Sequence, residues 1–157
     1  MAVLFVCTGN FCRSPVAHGV FQQLVDAAGI GAHVRIDSAG THAYQPGEPP
    51  DVAAIESAGA QGYQIEQLQG RQFELADFDN FDQILVMDHL NYDHLLLMCP
   101  DGRLHKLDYL LAYAPELGIR EIPDPFRGPR HEYEQMVDLV STAARGLLRS
   151  VRRRLEV

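Results

Sequence analysis

The chain contains no apolar run approaching the ~20 residues that a membrane-spanning helix needs. Met1-Ala2-Val3 leads directly into a strand-like run with no basic segment, so no signal peptide is expected. Cysteine is scarce. Cys7, Cys12 and Cys99 cannot all pair, and their spacing is not a disulfide framework, which makes the cytoplasm the default compartment. Neither C-x2-C nor H-x3-H occurs among the cysteines and the seven histidines, so no metal site is expected. Positive charge is also short: Lys and Arg number 13 against 21 Asp and Glu, a formal net charge of -8. A field of that sign argues against general nucleic-acid binding and against anionic membrane surfaces. Any anion site must then be local and concentrated. Internal repeats, low-complexity segments and linkers are missing as well. With 157 residues, 46 % of them apolar, a single domain over residues 1–157 with one core is expected.

What is present is an alternation of strand and helix signals. AVLFVC (2–7) is a continuous apolar run, as in a strand of a parallel sheet buried on both faces. From Ser14 the period changes: Val16, Ala17, Val20, Phe21, Leu24 and Ala28 recur at helical spacing. Ser14 suits an N-cap and Pro15 the first helical position, and Gly29 ends the helix. VRIDSAG (34–40) alternates like a strand. The loop THAYQPGEPP (41–50) then leads to Asp51, a cap for a helix beginning DVAAIESAG. FDQILVMD (81–88) predicts a third strand, HLNYDHLLLMC a helix capped by Asp88, and RLHKLDYLL (103–111) a fourth strand near its middle. The last helix is the clearest: Tyr133, Met136, Val137, Val140, Ala144, Leu147, Leu148, Val151 and Leu155 form one apolar stripe. Glu132 and Glu134 begin it and Arg152–Arg154 end it as a solvated, dipole-matched terminus. This order predicts an α/β fold of three layers, a four-stranded parallel twisted sheet flanked by helices on both faces. Ligands bind such sheets outside the C-terminal ends of the strands, where Cys7 lies.

The chemistry concentrates in VCTGNFCRSP (6–15). The turn from Thr8 to Arg13 joins a strand to a helix N-terminus, so its N–H groups can converge on a tetrahedral oxyanion, aided by the helix dipole. A nucleotide-binding P-loop would place Lys after its second glycine, and none stands here. Arg13 takes the cationic place, and a planar guanidinium grips two phosphate oxygens at once. Helix N-termini with nearby cations lower a thiol from about 8.5 to ~3.5–7.5. The loop therefore holds either a phosphate or a Cys7 thiolate poised beneath one, and the inferred reaction is attack of sulfur on phosphorus. In IPDPF (122–126), Asp124 between two prolines is a candidate general acid for the leaving oxygen, and Phe126 a candidate pocket wall. Phe11 and Tyr44 join it as rings to pack an aryl group. Cys99 reads as packing, and Asp88 as a cap more than a catalytic group.

C-T-G-N-F-C-R-S-P with a distant D-P-F resembles the low-molecular-weight protein tyrosine phosphatases over essentially the whole chain. The resemblance implies Cys7 as nucleophile, Arg13 as phosphate clamp and Asp124 as general acid, with Thr8, Gly9 and Phe11 completing the loop. It implies that Asn10 holds the loop shape in a left-handed conformation, that Ser14 donates to the Cys7 sulfur, and that Ser38 braces Asn10. Cys12 resembles the second loop cysteine, which forms a reversible disulfide with Cys7. Substrates would be phosphotyrosine proteins or small aryl phosphates, with no cofactor, on a monomer. Phe126 and Arg127 stand where animal members often carry two tyrosines, and Gln67-Leu68-Gln69-Gly70 lacks a histidine frequent before Arg71-Gln72. Two rival readings remain. An arsenate reductase on the same scaffold needs a downstream cysteine pair, and here only Cys99 follows. A non-catalytic phosphotyrosine-binding module would keep Arg13 without needing Cys7 or Asp124.

Overall fold

A computed structural model describes residues 1–156. Four parallel strands, β1 (Ala2–Cys7), β2 (Arg35–Gly40), β3 (Gln83–Val86) and β4 (Leu107–Tyr109), form one sheet in the order β2-β1-β3-β4. The register runs from Ala2 opposite Arg35 to Cys7 opposite Gly40, and from Val3 opposite Gln83 to Val6 opposite Val86. Strand β1 is buried along its length because both faces are covered. Its odd residues Val3, Phe5 and Cys7 face one core with α1 (Arg13–Ala27), α2 (Val52–Ala60) and α5 (Arg130–Leu155). Its even residues Ala2, Leu4 and Val6 face a second core with α3 (Asp77–Asn80) and α4 (His89–Met98), through Phe78 and Leu95. The expected three layers are thus present. Because β1 lies between β2 and β3, the chain order reverses at its C-terminal end, which opens a crevice there.

Several ends differ from the expectation. Helix α1 begins at Arg13 with Cys12 at its cap position, and no side chain caps it; Ser14 lies inside the first turn. At its other end Gly29 adopts φ 74°, with Gly29 N–H bonded to Asp26 O and Ile30 N–H to Val25 O, a Schellman closure. Strand β4 is only three residues long, because Leu104–Lys106 coils into a 3-10 turn and Leu110–Tyr113 into another. The short α3 carries no apolar periodicity long enough to have been foreseen. Asp51 and Asp88 do cap α2 and α4, and Asp88 forms a reciprocal capping box with Asn91. Arg152–Arg154 are exposed at the end of α5. Among the described residues, no helix is long and apolar enough to cross a membrane.

Helix α5 packs on the 3-10 turn Leu110–Tyr113 so closely that a Cβ at Gly146 would overlap the Tyr113 carbonyl oxygen. Backbone cannot yield as a side-chain tip does. Gly146→Ala is expected to destabilise the fold by about 3 kcal/mol, the upper part of the overpacking range. A urea unfolding midpoint equal to that of the wild type would contradict this packing.

Candidate active site

The segment Thr8–Cys12 links β1 to α1 at the crevice, and its shape is fixed from several sides. Asn10 holds φ 51°, the left-handed region that Asn tolerates better than most residues. Its side-chain oxygen accepts from Arg71 N–H at 2.8 Å, and its Nδ2 donates to Ser14 Oγ at 2.8 Å. Ser38 does not take the expected place beside Asn10: its Oγ lies 3.3 Å from His18 Nδ1, and the backbone of Arg71 does the bracing instead. Arg71 is itself held by Asp37 at 2.9 Å and Asp77 at 3.0 Å. Burial works against its charge, but these carboxylates outweigh it and raise its pKa. Backbone contacts complete the frame: Thr8 O accepts His42 N–H at 2.8 Å, Gly9 O accepts Tyr44 N–H at 3.1 Å, and Phe11 O accepts Asp51 N–H at 2.9 Å. A Cβ at Gly40 would stand 2.7 Å from Thr8 O and 2.9 Å from Asn10 N, so β2 needs glycine where this loop crosses it.

With the carbonyls so engaged, the N–H groups remain. Among the described residues, those of Gly9, Asn10, Phe11, Cys12, Arg13 and Ser14 donate to no protein acceptor. Buried amides without partners are uncommon, and six successive ones at a helix start make an anion cradle.

Cys7 is buried at the end of β1, and its Sγ lies 3.0 Å from Ser14 Oγ. Asn10 Nδ2 occupies one lone pair of that hydroxyl, and its proton has two acceptors in reach, the Cys7 sulfur at 3.0 Å and Ala39 O at 3.4 Å. The Ser14 hydroxyl thus lies beside the Cys7 sulfur and does not cap α1.

Arg13 is 2 % exposed. Its Nη1 donates to Asp88 Oδ2 at 2.7 Å and to Ile122 O at 2.8 Å, and its Nη2 stands 3.7 Å from Asp124 Oδ2. Burial opposes its charge, yet the Cys7 sulfur, Asp88 and Asp124 together overcome this and raise its pKa, so the guanidinium stays charged. Asp124 accepts from Phe126 N–H at 3.1 Å, a local turn that orients its carboxyl. Cys7, Arg13 and Asp124 thus come to one place from β1, α1 and a loop over a hundred positions away.

Three rings cluster beside this loop. Phe11 and Phe126 meet edge-on at 5.8 Å, Tyr44 and Phe126 lie tilted at 5.6 Å, and Phe11 and Tyr44 stand at 6.4 Å. The Tyr44 ring covers Gly9 so closely that a Cβ there would come within 2.6 Å of it. Cys12 is buried, with its Sγ 3.4 Å from Asp51 Oδ2; burial and the Asp51 charge raise its pKa, so this thiol is held neutral. Cys99 is partly buried against the second core.

Sequence reasoning missed four contributors. The sequence presents Asp88 as a cap more than a catalytic group, and it also holds Arg13. Asn91, its capping-box partner, donates from Nδ2 to Thr8 Oγ1 at 3.0 Å. Arg71 supplies the N–H that fixes Asn10, and Asp51 reaches beyond its cap to Cys12 and Tyr133. One signal marks the place of Asp88 though not its partner: it lies two residues past the C-terminal end of β3, the end of the sheet where ligands collect.

The chain is similar to known proteins along nearly its whole length. The profile of the family described as low molecular weight phosphotyrosine protein phosphatase matches residues 2–157. A Synechocystis protein is 42 % identical over 156 residues, covering 99 % of each chain. The low molecular weight protein-tyrosine-phosphatase of Streptomyces coelicolor is 36 % identical over 157 residues, covering 98 % of this chain and 95 % of that one. A crystal structure of a protein tyrosine phosphatase from Entamoeba histolytica superposes with a TM-score of 0.93 at 31 % identity, covering 98 % of this chain and 97 % of that one. Matched over nearly its full length in sequence and in fold, this chain belongs to the low molecular weight protein-tyrosine-phosphatases.

Proposed function

We propose that this phosphatase hydrolyses phosphotyrosine and other aryl phosphate monoesters through a phosphocysteine on Cys7. The observation that carries the reading is the convergence of the Cys7 sulfur, the Arg13 fork and the Asp124 carboxyl around six unpartnered amides. In the first step the Cys7 thiolate attacks phosphorus, the P–O bond to the phenol breaks, and the leaving oxygen takes the proton of the Asp124 carboxyl. In the second, the Asp124 carboxylate takes a proton from water as the water oxygen attacks phosphorus. The P–S bond breaks, returning thiolate and releasing phosphate. Arg13 grips the equatorial oxygens with Nε and Nη2, since Nη1 is engaged by Asp88 and Ile122. The Ser14 hydroxyl stabilises the sulfur anion each time it reappears.

A sulfur at the base of a cradle walled by Phe11, Tyr44 and Phe126 favours long, flat phenols, because an incoming ring can replace contacts those rings make with each other. The scheme uses no cofactor or metal, and every group in it comes from one chain, which supports a monomer. Free thiols at Cys7, Cys12 and Cys99 support a reducing, cytoplasmic location. Cys12 in the same loop supports the reversible Cys7–Cys12 disulfide.

The acid role is tested by Asp124→Ala with two substrates. A phenyl phosphate needs its leaving oxygen protonated, whereas a nitrophenyl phosphate leaves readily as the anion. The kcat on phenyl phosphate is expected to fall about 10²-fold and that on nitrophenyl phosphate several times less. Equal losses on both would rule Asp124 out as the proton donor.

A further inference from the structure

Asp124 lies on a loop whose two ends are held by different devices. At the near end, Ile122 N–H bonds to Met87 O at 2.8 Å and Ile122 O accepts from Arg13 at 2.8 Å. At the far end, Arg127 sits at φ 62°, a left-handed conformation unfavourable for an L residue with a long side chain. Such backbone persists where its surroundings over-determine it. Here the surroundings are Tyr133 and Asp51. Arg127 N–H donates to the Tyr133 hydroxyl at 3.2 Å, and that hydroxyl donates to Asp51 Oδ2 at 2.6 Å.

Asp51 in turn belongs to the phosphate loop's own frame. Its N–H donates to Phe11 O at 2.9 Å, and Oδ2 also accepts from Cys12 Sγ at 3.4 Å. One carboxylate therefore ties the segment beside Cys7 to the segment beside Asp124. Tyr133 is 3 % exposed, and its hydroxyl is engaged on both sides, by Arg127 N–H and by Asp51 Oδ2. Burial and the adjacent Asp51 raise its pKa, which keeps it a neutral O–H donor. Its ring belongs to the apolar stripe of α5, but packing alone would be served equally by phenylalanine.

Resting on the activity proposed above, we infer that Tyr133 and Asp51 form a positioning pair that sets the distance between the general acid Asp124 and the phosphate held over Cys7. Neither residue touches substrate. Their effect falls on the step in which the leaving oxygen is protonated, where a displacement on the scale of an ångström is felt strongly.

The test is Tyr133→Phe, which keeps the ring and removes the hydroxyl, assayed beside wild type and Asp124→Ala on phenyl and nitrophenyl phosphates. For Tyr133→Phe, kcat on phenyl phosphate is expected to fall about tenfold, with nitrophenyl phosphate and both KM values within about twofold of wild type. Asp51→Asn, whose amide oxygen still accepts from Tyr133, is expected to keep most of the phenyl phosphate rate, and Asp51→Ala to reproduce the Tyr133→Phe pattern. Should Tyr133→Phe fail to fold, Asp51→Ala and Asp51→Asn are compared in the same way. Equal losses on the two substrates, or no loss on either, would overturn the positioning role. If wild type releases no phosphate, or Asp124→Ala shows no substrate dependence, the proposed mechanism falls instead.

Discussion

Replacing the Cys7 sulfur by a hydroxyl, in Cys7→Ser, is expected to lower kcat on every aryl phosphate by on the order of 10⁴-fold or more, the scale seen when a covalent nucleophile is lost. The cause is chemical and not structural. Serine fills the buried site at the end of β1 without overpacking, and its hydroxyl still lies within reach of Ser14. It does not ionise near neutrality, however, and among the described residues no histidine bonds to Cys7 or Ser14 to take its proton. The six free N–H groups and Arg13 are untouched, so the variant should still bind inorganic phosphate or an intact phosphotyrosine peptide. Calorimetry that detects binding alongside phosphate release at background level is the expected pair of results. Turnover within tenfold of wild type would remove the phosphocysteine. Loss of binding as well as turnover would mean that the sulfur, and not the amide cradle, organises the loop. The same pair of measurements separates the enzyme from a phosphotyrosine-binding module, for which wild type would bind and release nothing.

What the sequence made legible follows the range of each interaction. The strand 2–7, the change of period at Ser14 and the turn between them are local, and they place Cys7 and Arg13 at one site without knowledge of the rest. The left-handed Asn10 is likewise a property of one residue in one turn. Ser14 shows where locality fails. A helix-start preference assigns its hydroxyl to capping, but the competing partners are Asn10 and a sulfur presented by β1. Asp88 is legible as a cap because its partner is three residues away, and illegible as the anchor of Arg13, 75 residues away. Tyr133 fails for a different reason: periodicity sees that a ring is buried, and is blind to a hydroxyl at its tip. A place for Ser38 beside Asn10 follows from the resemblance alone, and the bracing N–H comes instead from Arg71, whose backbone donor no residue type advertises.

The second large effect concerns Arg13→Lys, a change that keeps the charge and removes the fork. Nη1 alone serves Asp88 and Ile122 O, at 2.7 and 2.8 Å, while Nη2 lies 3.7 Å from Asp124 and, in the proposed mechanism, grips phosphate together with Nε. A lysine ammonium is one point with three donors and a strong preference for hydration. In a position 2 % exposed it can satisfy Asp88 or reach the phosphoryl oxygens, but not both in the planar geometry that matches two oxygens at once. The Asp88 partner lies closer to the backbone of α4 and does not move, being locked in its capping box. The ammonium is therefore drawn to Asp88, and the transition state loses its bidentate clamp. A fall in kcat of about 10³-fold is expected, the upper range for removing one charge-stabilising contact in a water-poor site, together with weaker inhibition by inorganic phosphate. Stability separates the two roles of this residue. Arg13→Lys leaves Asp88 paired and should unfold close to wild type, whereas Arg13→Ala strands a mostly buried carboxylate (16 % exposed) and should cost about 3 kcal/mol. Urea midpoints of the two variants read that difference directly. An Arg13→Lys enzyme that keeps turnover within tenfold would show that charge alone suffices, and the clamp geometry would have to be abandoned.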